Sequence, residues 1–425
     1  MGITQEDHNK ILFIAKLGRA LHAYGSNAHK IESILQIVSH NLGLEAQFFS
    51  TPTSLIGSFK FSDQEYGVLE RCAPGSVHLE RICLINDVAD DVASGDIDAK
   101  EGIKRLDAIE VQVERYSRWI MLFIFGLASL SVSIVLGAKG FDLIPSFVIG
   151  LIVGTITLLS DRIKKLSHLS DIICAFFGAL IAGISHHFFP SISPEIVLLA
   201  GLIYLMPGLS ITVATVELAT QNYVAGSARL VGASMSLLKI FIGVIGGTGV
   251  ISFYFPGVTS LTSLSIHSFH SFPTLLKLST ALEQSLPDWS QWVSIFLSAI
   301  CFTILFRAHI RDMLWIIITA FTVSIAYKIG NFYGGVQLAA FIGALVVSSG
   351  SNLFARIMKR PVSIIQFPGI LFLVPGLVSY RSLNLIANKD VITGVQGAVS
   401  VGIIAMIIVG GLLCGNILIN PKREL

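Results

Sequence analysis

Two Pro-Gly pairs, Pro207-Gly208 and Pro375-Gly376, lie inside long apolar stretches of this sequence. Proline removes a backbone donor and glycine loosens the chain, so each pair predicts a break in a helix. In lipid, the carbonyl groups freed by such a break need partners, so the break should face protein or a water-filled cavity. The new helix N-terminus can hold an anionic group such as a carboxylate. We predict that both breaks line a binding site; a plain proline kink is the alternative for either pair alone.

Polar side chains follow both breaks. Ser210 and Thr212 come after the first break, and Ser379 and Arg381 come after the second. Hydroxyl groups can hydrogen-bond a ligand hydroxyl, and a guanidinium group can bind a carboxylate. We predict that these four residues and the two Pro-Gly pairs contact the substrate.

Two charged residues lie deep in the apolar part of the chain. Glu217 follows the first break, and Lys239 lies about ten residues into the next apolar stretch. Charges at such depth are costly and are functional candidates. Glu217 can carry a proton or hold an ammonium group, with snorkelling to the membrane surface as the alternative. Lys239 can pair with Glu217 or belong to the coupling path.

Other groups of reactive residues lack the spacing that their chemistry requires. The five cysteines form no metal-ligand pattern, and the acidic residues at 87–91 fit a solvated helix face. Cys72 and His78 have no third group to orient them, and His267 and His270 have no third ligand. We predict no metal, no cofactor and no enzymatic activity, with a membrane-anchored hydrolase as an alternative.

The composition places most of the chain in a membrane. The sequence is 53% hydrophobic and 13% charged, whereas about 25% charged residues are usual in soluble proteins. Beyond Trp119 the chain consists mostly of apolar runs that are long enough to span a bilayer. No basic stripe interleaves with aromatic residues, so we predict no nucleic-acid partner.

The apolar runs predict about ten transmembrane helices. Their expected positions are 119–137, 141–160, 171–189, 195–218, 228–254, 290–307, 312–329, 335–354, 362–386 and 391–419. Lys and Arg concentrate in alternate loops, such as 162–165, 307–311 and 356–360. The positive-inside rule therefore places both termini in the cytosol. The expected location is the cell (inner) membrane.

The membrane region contains an internal repeat. The string GLIYLMPGL at 201–209 recurs as GILFLVPGL at 369–377, and AFFGAL at 175–180 recurs as AFIGAL at 340–345. The repeated unit has five helices. Because five is odd, two tandem copies must lie in opposite orientations, as in many secondary transporters.

These patterns divide the chain into four segments. We predict a cytosolic α+β domain at 1–117, a first five-helix repeat at 118–254, an extracytoplasmic loop at 255–289 and a second repeat at 290–425. Helical and strand periodicities predict the order αα-βββ-αα for the N-terminal domain. The fold class is thus an α-helical polytopic membrane protein with a small N-terminal α+β domain.

Long stretches of this chain resemble a known family. They are LGRALHAYGSNAHKIESILQIVSHNLGLEAQFFSTPTSLIGS at 17–58, NDVADDVASGDIDAKEGIKRLDAIE at 86–110 and the two Pro-Gly-Leu segments. These stretches resemble the threonine/serine exporter (ThrE) family. The resemblance implies a cytosolic N-terminal domain, ten membrane helices and proton-driven export of small hydroxy amino acids. In that family an acidic residue follows the first Pro-Gly-Leu by about eight positions, as Glu217 does. The Arg that commonly precedes it is Val216 here.

We therefore expect a secondary transporter that exports threonine, serine or a similar amino acid by antiport with protons. The expected partners are a small amino-acid substrate, protons and the lipid bilayer, and a homo-oligomer is left open. A transporter or channel for another small organic anion, recognised by Arg381 and Lys239, is the alternative. The N-terminal domain is expected to gate the cytosolic mouth or to mediate assembly.

Overall fold

The computed structural model describes residues 4–61, 64–72, 75–255, 286–373, 380 and 391–420. Its N-terminal domain has two helices, three strands and two helices in that order, as predicted from the sequence. The elements are α1 (Gln5–Ala23), α2 (Ala28–Asn41), β1 (Glu45–Thr51), β2 (Ser54–Phe61), β3 (Gln64–Arg71), α3 (Leu79–Ala93) and α4 (Ala99–Val111).

The N-terminal domain has its own apolar core. The strands form an antiparallel sheet of order β1-β2-β3, in which Phe48 pairs with Gly57 and Gly57 pairs with Val68. Side chains alternate between the two faces along β1, because successive strand residues point in opposite directions. The inner face packs against the helices through Leu17, Leu35, Phe59, Ile85 and Leu106.

Two groups of helices follow. The first helical group contains α5 (Arg118–Val135), α6 (Leu143–Ser160), α7 (Lys164–Ser167), α8 (Ser170–Phe188), α9 (Pro194–Gly201), α10 (Gly208–Ala219) and α11 (Tyr223–Tyr254). The second contains α12 (Trp289–Leu305), α13 (Met313–Met358), α14 (Ser363–Leu371) and α15 (Val391–Leu418). Large apolar side chains such as Phe123, Phe253 and Phe332 are exposed on these helices, as expected for surfaces that face lipid.

Length and apolar composition do not give the predicted count of ten spans. Within the described residues, six helices are long and apolar enough to cross a membrane, or seven if the bent pair α9–α10 is one span. Helix α12 has only 17 residues. Helix α13 counts once but has 46 residues, about 69 Å at 1.5 Å per residue, and breaks at Gly334 and Gly335. The predicted span at 362–386 lies partly outside the described residues.

Two turns of the same form follow α5 and α12. Each contains a residue with positive φ, a buried alanine and a buried aspartate that ends a 3-10 turn. They are Gly137, Ala138 and Asp142 after α5, and Arg307, Ala308 and Asp312 after α12. Asp142 accepts a hydrogen bond from the Ser193 amide before α9 (2.8 Å), and Asp312 accepts two from Arg360 before α14 (2.6 and 2.7 Å). Each aspartate therefore ties its turn to the segment that enters a later helix.

Helix packing also recurs in the two groups. A Cβ on Gly247 of α11 would lie 2.5 Å from the Phe176 carbonyl oxygen and 2.8 Å from the Ala179 Cβ of α8. A Cβ on Gly411 of α15 would lie at the same two distances from Phe341 and Ala344 of α13. Only glycine allows such a close approach of two helices. The 168-residue offset between the strings at 201–209 and 369–377 aligns Gly243 with Gly411. By these contacts, however, the equivalent of Gly411 is Gly247, about one helical turn further on.

Candidate functional site

The first Pro-Gly pair lies at a break between two helices. Helix α9 ends at Gly201, a 3-10 turn covers Ile203–Leu205, and α10 begins at Gly208 with a bend of 53°. Pro207 is the N-cap of α10 and both residues of the pair are buried. Proline cannot continue the hydrogen-bonded turn, so the helix restarts here with donors pointing back into the protein.

The polar residues after this break have different environments. Ser210 is half-buried, whereas Thr212 is fully buried. The Thr212 hydroxyl donates to the Gly208 carbonyl oxygen (3.2 Å), so its proton is used within α10 and its oxygen lone pairs are left to accept.

The second Pro-Gly pair cannot be placed in the same way. Pro375, Gly376, Ser379 and Arg381 lie outside the described residues. Tyr380, which the structure does describe, is buried in the same apolar cluster as Met206 and Ile211 from either side of the first break. The described part of the segment that follows the second pair thus packs near the first break.

Glu217 is held at the end of α10 by three hydrogen bonds. Its side chain is completely buried. The Arg229 side chain of α11 donates to both carboxylate oxygens, at 3.0 and 3.1 Å. The Ala28 amide, at the N-terminus of α2, donates to Oε1 at 3.1 Å. The carboxylate is thus enclosed by α2, α10 and α11.

Lys239 is not the partner of Glu217. It lies about ten residues beyond Arg229 on α11, or about 15 Å along the helix. Its electrostatic neighbour is Asp171, in the first turn of α8, which also hydrogen-bonds Ser170 and Ser236. The hypothesis of a Glu217–Lys239 pair was wrong because Arg229 is the cation that α11 brings to the end of α10.

The start of α2 carries further titratable side chains. Burial lowers the pKa of His29 to about 4 and that of Lys30 to about 8. Burial also raises the pKa of Glu32, and the charge of the nearby Glu217 acts in the same direction. The start of α2 is therefore partly shielded from solvent where Ala28 meets Glu217 of α10.

A second contact joins the N-terminal domain to the second helical group. The amides of Leu79 and Glu80, at the start of α3, donate to the carbonyl oxygens of Phe306 (3.0 Å) and Arg307 (3.1 Å). The Tyr116 hydroxyl donates to the Ala308 carbonyl oxygen (2.8 Å). Around these bonds, buried apolar side chains of α3 and mostly of the second group form one cluster that includes Leu79, Ile82 and Ile316, together with Val213 of α10.

Charged residues surround this second contact. The Glu114 carboxylate pairs with Arg307 (3.2 Å), Arg81 (3.1 Å) and His78 (3.2 Å). Burial lowers the pKa of His78 to about 4 although Glu114 acts in the opposite direction, so the imidazole is neutral at pH 7. His78 Nδ1 accepts from the Arg81 amide. Both ring nitrogens are therefore occupied away from Cys72, which argues against a thiol–imidazole pair.

Sequence reasoning missed the two partners of Glu217. Arg229 lies at the edge of the predicted span at 228–254, yet it belongs to the second turn of α11 and lies next to Glu217 across the turn between α10 and α11. An acidic residue at one helix end and a basic residue at the start of the next was an available signal. The Ala28 contact joins residues 189 positions apart, and nothing local in the sequence marks it.

The fold and this buried charge site define a polytopic helical membrane protein with a broken helix that leads to a buried ion pair. A family model for threonine/serine exporters matches residues 12–251, and a second one, described as Threonine/Serine exporter, ThrE, matches residues 291–420. The first match alone covers more than half of the chain. The chain belongs to the threonine/serine exporter family, a family of membrane transporters, as the resemblance implied.

Yeast membrane proteins are among the relatives of this chain. Pheromone-regulated membrane protein 10 of Saccharomyces cerevisiae (strain YJM789) is 25% identical over 386 residues, which are 87% of this chain and 47% of the relative. The proteins of that name from Eremothecium gossypii and Candida albicans (strain SC5314) are 24% and 27% identical; the matches cover 91% and 87% of this chain, and 51% and 33% of the relatives. The chain spans about half the length of these relatives or less. No solved structure matches.

Proposed function

We propose that this protein is a proton-coupled secondary transporter that exports threonine, serine or another small hydroxy amino acid. The observation that carries the proposal is the fully buried Glu217 carboxylate at the end of the broken helix, paired with Arg229. A buried charge inside a membrane protein is costly and is kept where it has a task. The family descriptions name threonine and serine, which supports this substrate class.

We assign the two ends of the substrate to two places along α10. The substrate carboxylate binds at the helix N-terminus after Gly208, where backbone donors begin without partners inside the helix. Ser210 and the Thr212 hydroxyl oxygen hydrogen-bond the hydroxyl group of the substrate. Glu217 binds the substrate ammonium group or a proton. The second break, at Pro375-Gly376 with Ser379 and Arg381, supplies the matching surface from the second repeat.

The proposed topology is two five-helix repeats of opposite orientation, with both termini cytosolic and the protein in the cell (inner) membrane. The paired turns at Asp142 and Asp312 and the matching glycine contacts at Gly247 and Gly411 support the duplication. Helix α13 is one span by length, and in this topology its break at Gly334–Gly335 divides it into two spans. Transport then follows from one repeat moving against the other.

The two roles of Glu217 agree with its contacts. Arg229 and the Ala28 amide already occupy both carboxylate oxygens. A proton or an ammonium group must therefore displace part of this hydrogen bonding to bind, which makes binding and conformational change interdependent.

Efflux of labelled threonine from proteoliposomes tests the proposal. Glu217→Gln should lower pH-gradient-driven efflux by on the order of 10-fold or more, since one charge-assisted hydrogen bond is worth about that factor. Glu45→Gln, an exposed carboxylate of β1, is the matched control. Equal rates for wild type and Glu217→Gln, without response to the gradient, would refute the coupling role. Efflux of small organic acids but not of threonine would favour an organic-anion transporter instead.

A further inference from the structure

The N-terminal domain contacts both helical groups. The Ala28 amide of α2 bonds Glu217 of the first group (3.1 Å), and the Leu79 amide of α3 bonds the Phe306 carbonyl oxygen of the second group (3.0 Å). A rigid domain that touches both groups restrains their relative movement. If transport needs one group to move against the other, at least one of the two contacts must open in each cycle.

The two contacts differ in what can open them. At the second group, the domain is held by backbone hydrogen bonds and by the buried side chains of Leu79 and Ile82. No ligand can replace such packing. At the first group, the amide of Ala28 points its hydrogen at Oε1 of Glu217. Any other good donor can take its place on that oxygen.

The position of Ala28 strengthens this contact in the closed form. Ala28 is the first residue of α2, so its amide has no partner within the helix. The positive end of the helix dipole lies against the Glu217 carboxylate, beside the Arg229 guanidinium, and a negative charge at this end of a helix is favourable.

We propose that the N-terminus of α2 is the inner gate of the transport pathway. In this conformation it closes over Glu217, and it opens when the ammonium group of the substrate replaces the Ala28 amide on the carboxylate. Helix α3 stays attached to the second helical group throughout. The gate rests on the proposed function for its substrate, and it adds the element that moves and the group that releases it.

Thiol accessibility can detect this movement. Asn27 precedes Ala28, is buried and forms no side-chain cap bond, so Asn27→Cys is a reporter that should cost little. Cys83 of α3 packs against the cluster at the second group and reports on that contact. Each thiol is placed alone in a chain whose other native cysteines are replaced by alanine, and its rate of maleimide labelling is measured in proteoliposomes.

Three ligands identify the group that opens the gate. Threonine carries ammonium, hydroxyl and carboxylate groups, 1-amino-2-propanol lacks the carboxylate, and 3-hydroxybutyrate lacks the ammonium. We expect threonine and 1-amino-2-propanol to accelerate labelling of Asn27→Cys by about tenfold, the order of effect of one charge-assisted hydrogen bond, and 3-hydroxybutyrate to leave it unchanged. Labelling of Cys83 should not change with any of the three.

A proline substitution opens the gate without a ligand. Ala28→Pro removes the amide hydrogen at a helix position that favours proline, and Asn27 already has an extended backbone that suits a following proline (φ −76°, ψ 150°). Added to Asn27→Cys, it should give fast labelling even without threonine. Ala99→Pro, at the first position of α4 after Asp98, is the matched control and should leave labelling slow.

Three results would overturn the gate. One is an Asn27→Cys labelling rate that neither threonine, 1-amino-2-propanol nor Ala28→Pro changes. Another is acceleration by 3-hydroxybutyrate alone, and the third is a parallel rise at Cys83, which would mean that the whole domain detaches. Threonine efflux by the wild type is measured separately, so a failed gate with intact efflux leaves the proposed function standing. Absent efflux with labelling that still responds to 1-amino-2-propanol overturns the threonine assignment and not the gate.

Discussion

The N-terminal domain binds the two helical groups by different means. Its contact with the first group centres on a charge: the Ala28 amide, the Glu217 carboxylate and the Arg229 guanidinium. Its contact with the second group combines backbone hydrogen bonds with buried apolar side chains such as Leu79. A ligand can neutralise or displace a charged group, whereas apolar packing weakens mainly when its side chains are truncated. The proposed gate accordingly places the contact that a ligand opens at the first group.

Removal of the cation at the first contact should have the largest effect. Arg229→Ala leaves the Glu217 carboxylate buried without its ion pair, which typically costs about 3–5 kcal/mol. We expect a strong loss of thermal stability in detergent. Arg229→Lys should recover part of it, because it keeps the charge but loses the two-point geometry. If Arg229→Ala melts like the wild type, the ion pair does not stabilise this site.

Truncation of the apolar anchor should rank second. Leu79→Ala removes a fully buried side chain, and such changes cost about 2–5 kcal/mol. Hydrogen exchange at the start of α3 should then accelerate, whereas exchange at the start of α2 should change less. Leu69→Ala, whose side chain on β3 is 73% exposed, is the control. Equal acceleration at both helices would show that the two contacts open together.

Acid should loosen the second contact through His78. The pKa of His78 is about 4 when it is buried there, against about 6.5 when exposed. The open state therefore binds a proton that the closed state does not. The contact has its full stability above pH 6.5 and loses it progressively as the pH falls toward 4. Between pH 7 and pH 5 the loss is about 1–2 kcal/mol.

Hydrogen exchange of the Leu79 and Glu80 amides, corrected for the intrinsic effect of pH, measures this change. His78→Gln cannot take up the proton, so its exchange should be nearly independent of pH over the same interval. A wild type with the same flat profile would contradict a buried neutral His78.

The ion pair at the edge of the second contact should have the smallest effect. Arg307 and Glu114 are both partly exposed, and pairs of this kind contribute about 0.2–1 kcal/mol. Arg307→Gln should therefore change exchange at α3 only slightly, and less in high salt than in low salt. A larger effect than that of Leu79→Ala would reverse the assignment of this contact to apolar packing.

Local chemistry was sufficient to predict several features of the site. Pro207 cannot continue a helix in any surroundings, so the break before Gly208 follows from residue type and appears at the expected place. The order of elements in the N-terminal domain follows in the same way from hydrophobic periodicity. The depth of Glu217 in its apolar stretch marked it as a candidate for a function.

Partners were harder to predict than positions. Lys239 was the deepest cation in the sequence, yet Arg229 pairs with Glu217 because the turn between α10 and α11 brings the start of α11 against the end of α10. The register of the repeat is a second example. Sequence similarity aligns Gly243 with Gly411, whereas the interhelical contacts of Gly411 match those of Gly247. Sequence similarity does not detect a slip of one helical turn, because glycines recur along α11.

The sequence by itself determined a membrane protein with long apolar helices and a helix broken at Pro207, because these depend on composition and on the covalent limits of proline. Only the tertiary structure decided that Glu217 is buried between Arg229 and the N-terminus of α2. The Ala28 contact joins residues 189 positions apart, whereas Arg229 is 12 residues from Glu217. The long-range contact is fixed by the packing of α2 against the end of α10, which leaves no local mark in the sequence, whereas the need to pair a buried charge leaves only the basic residue at the start of the next helix.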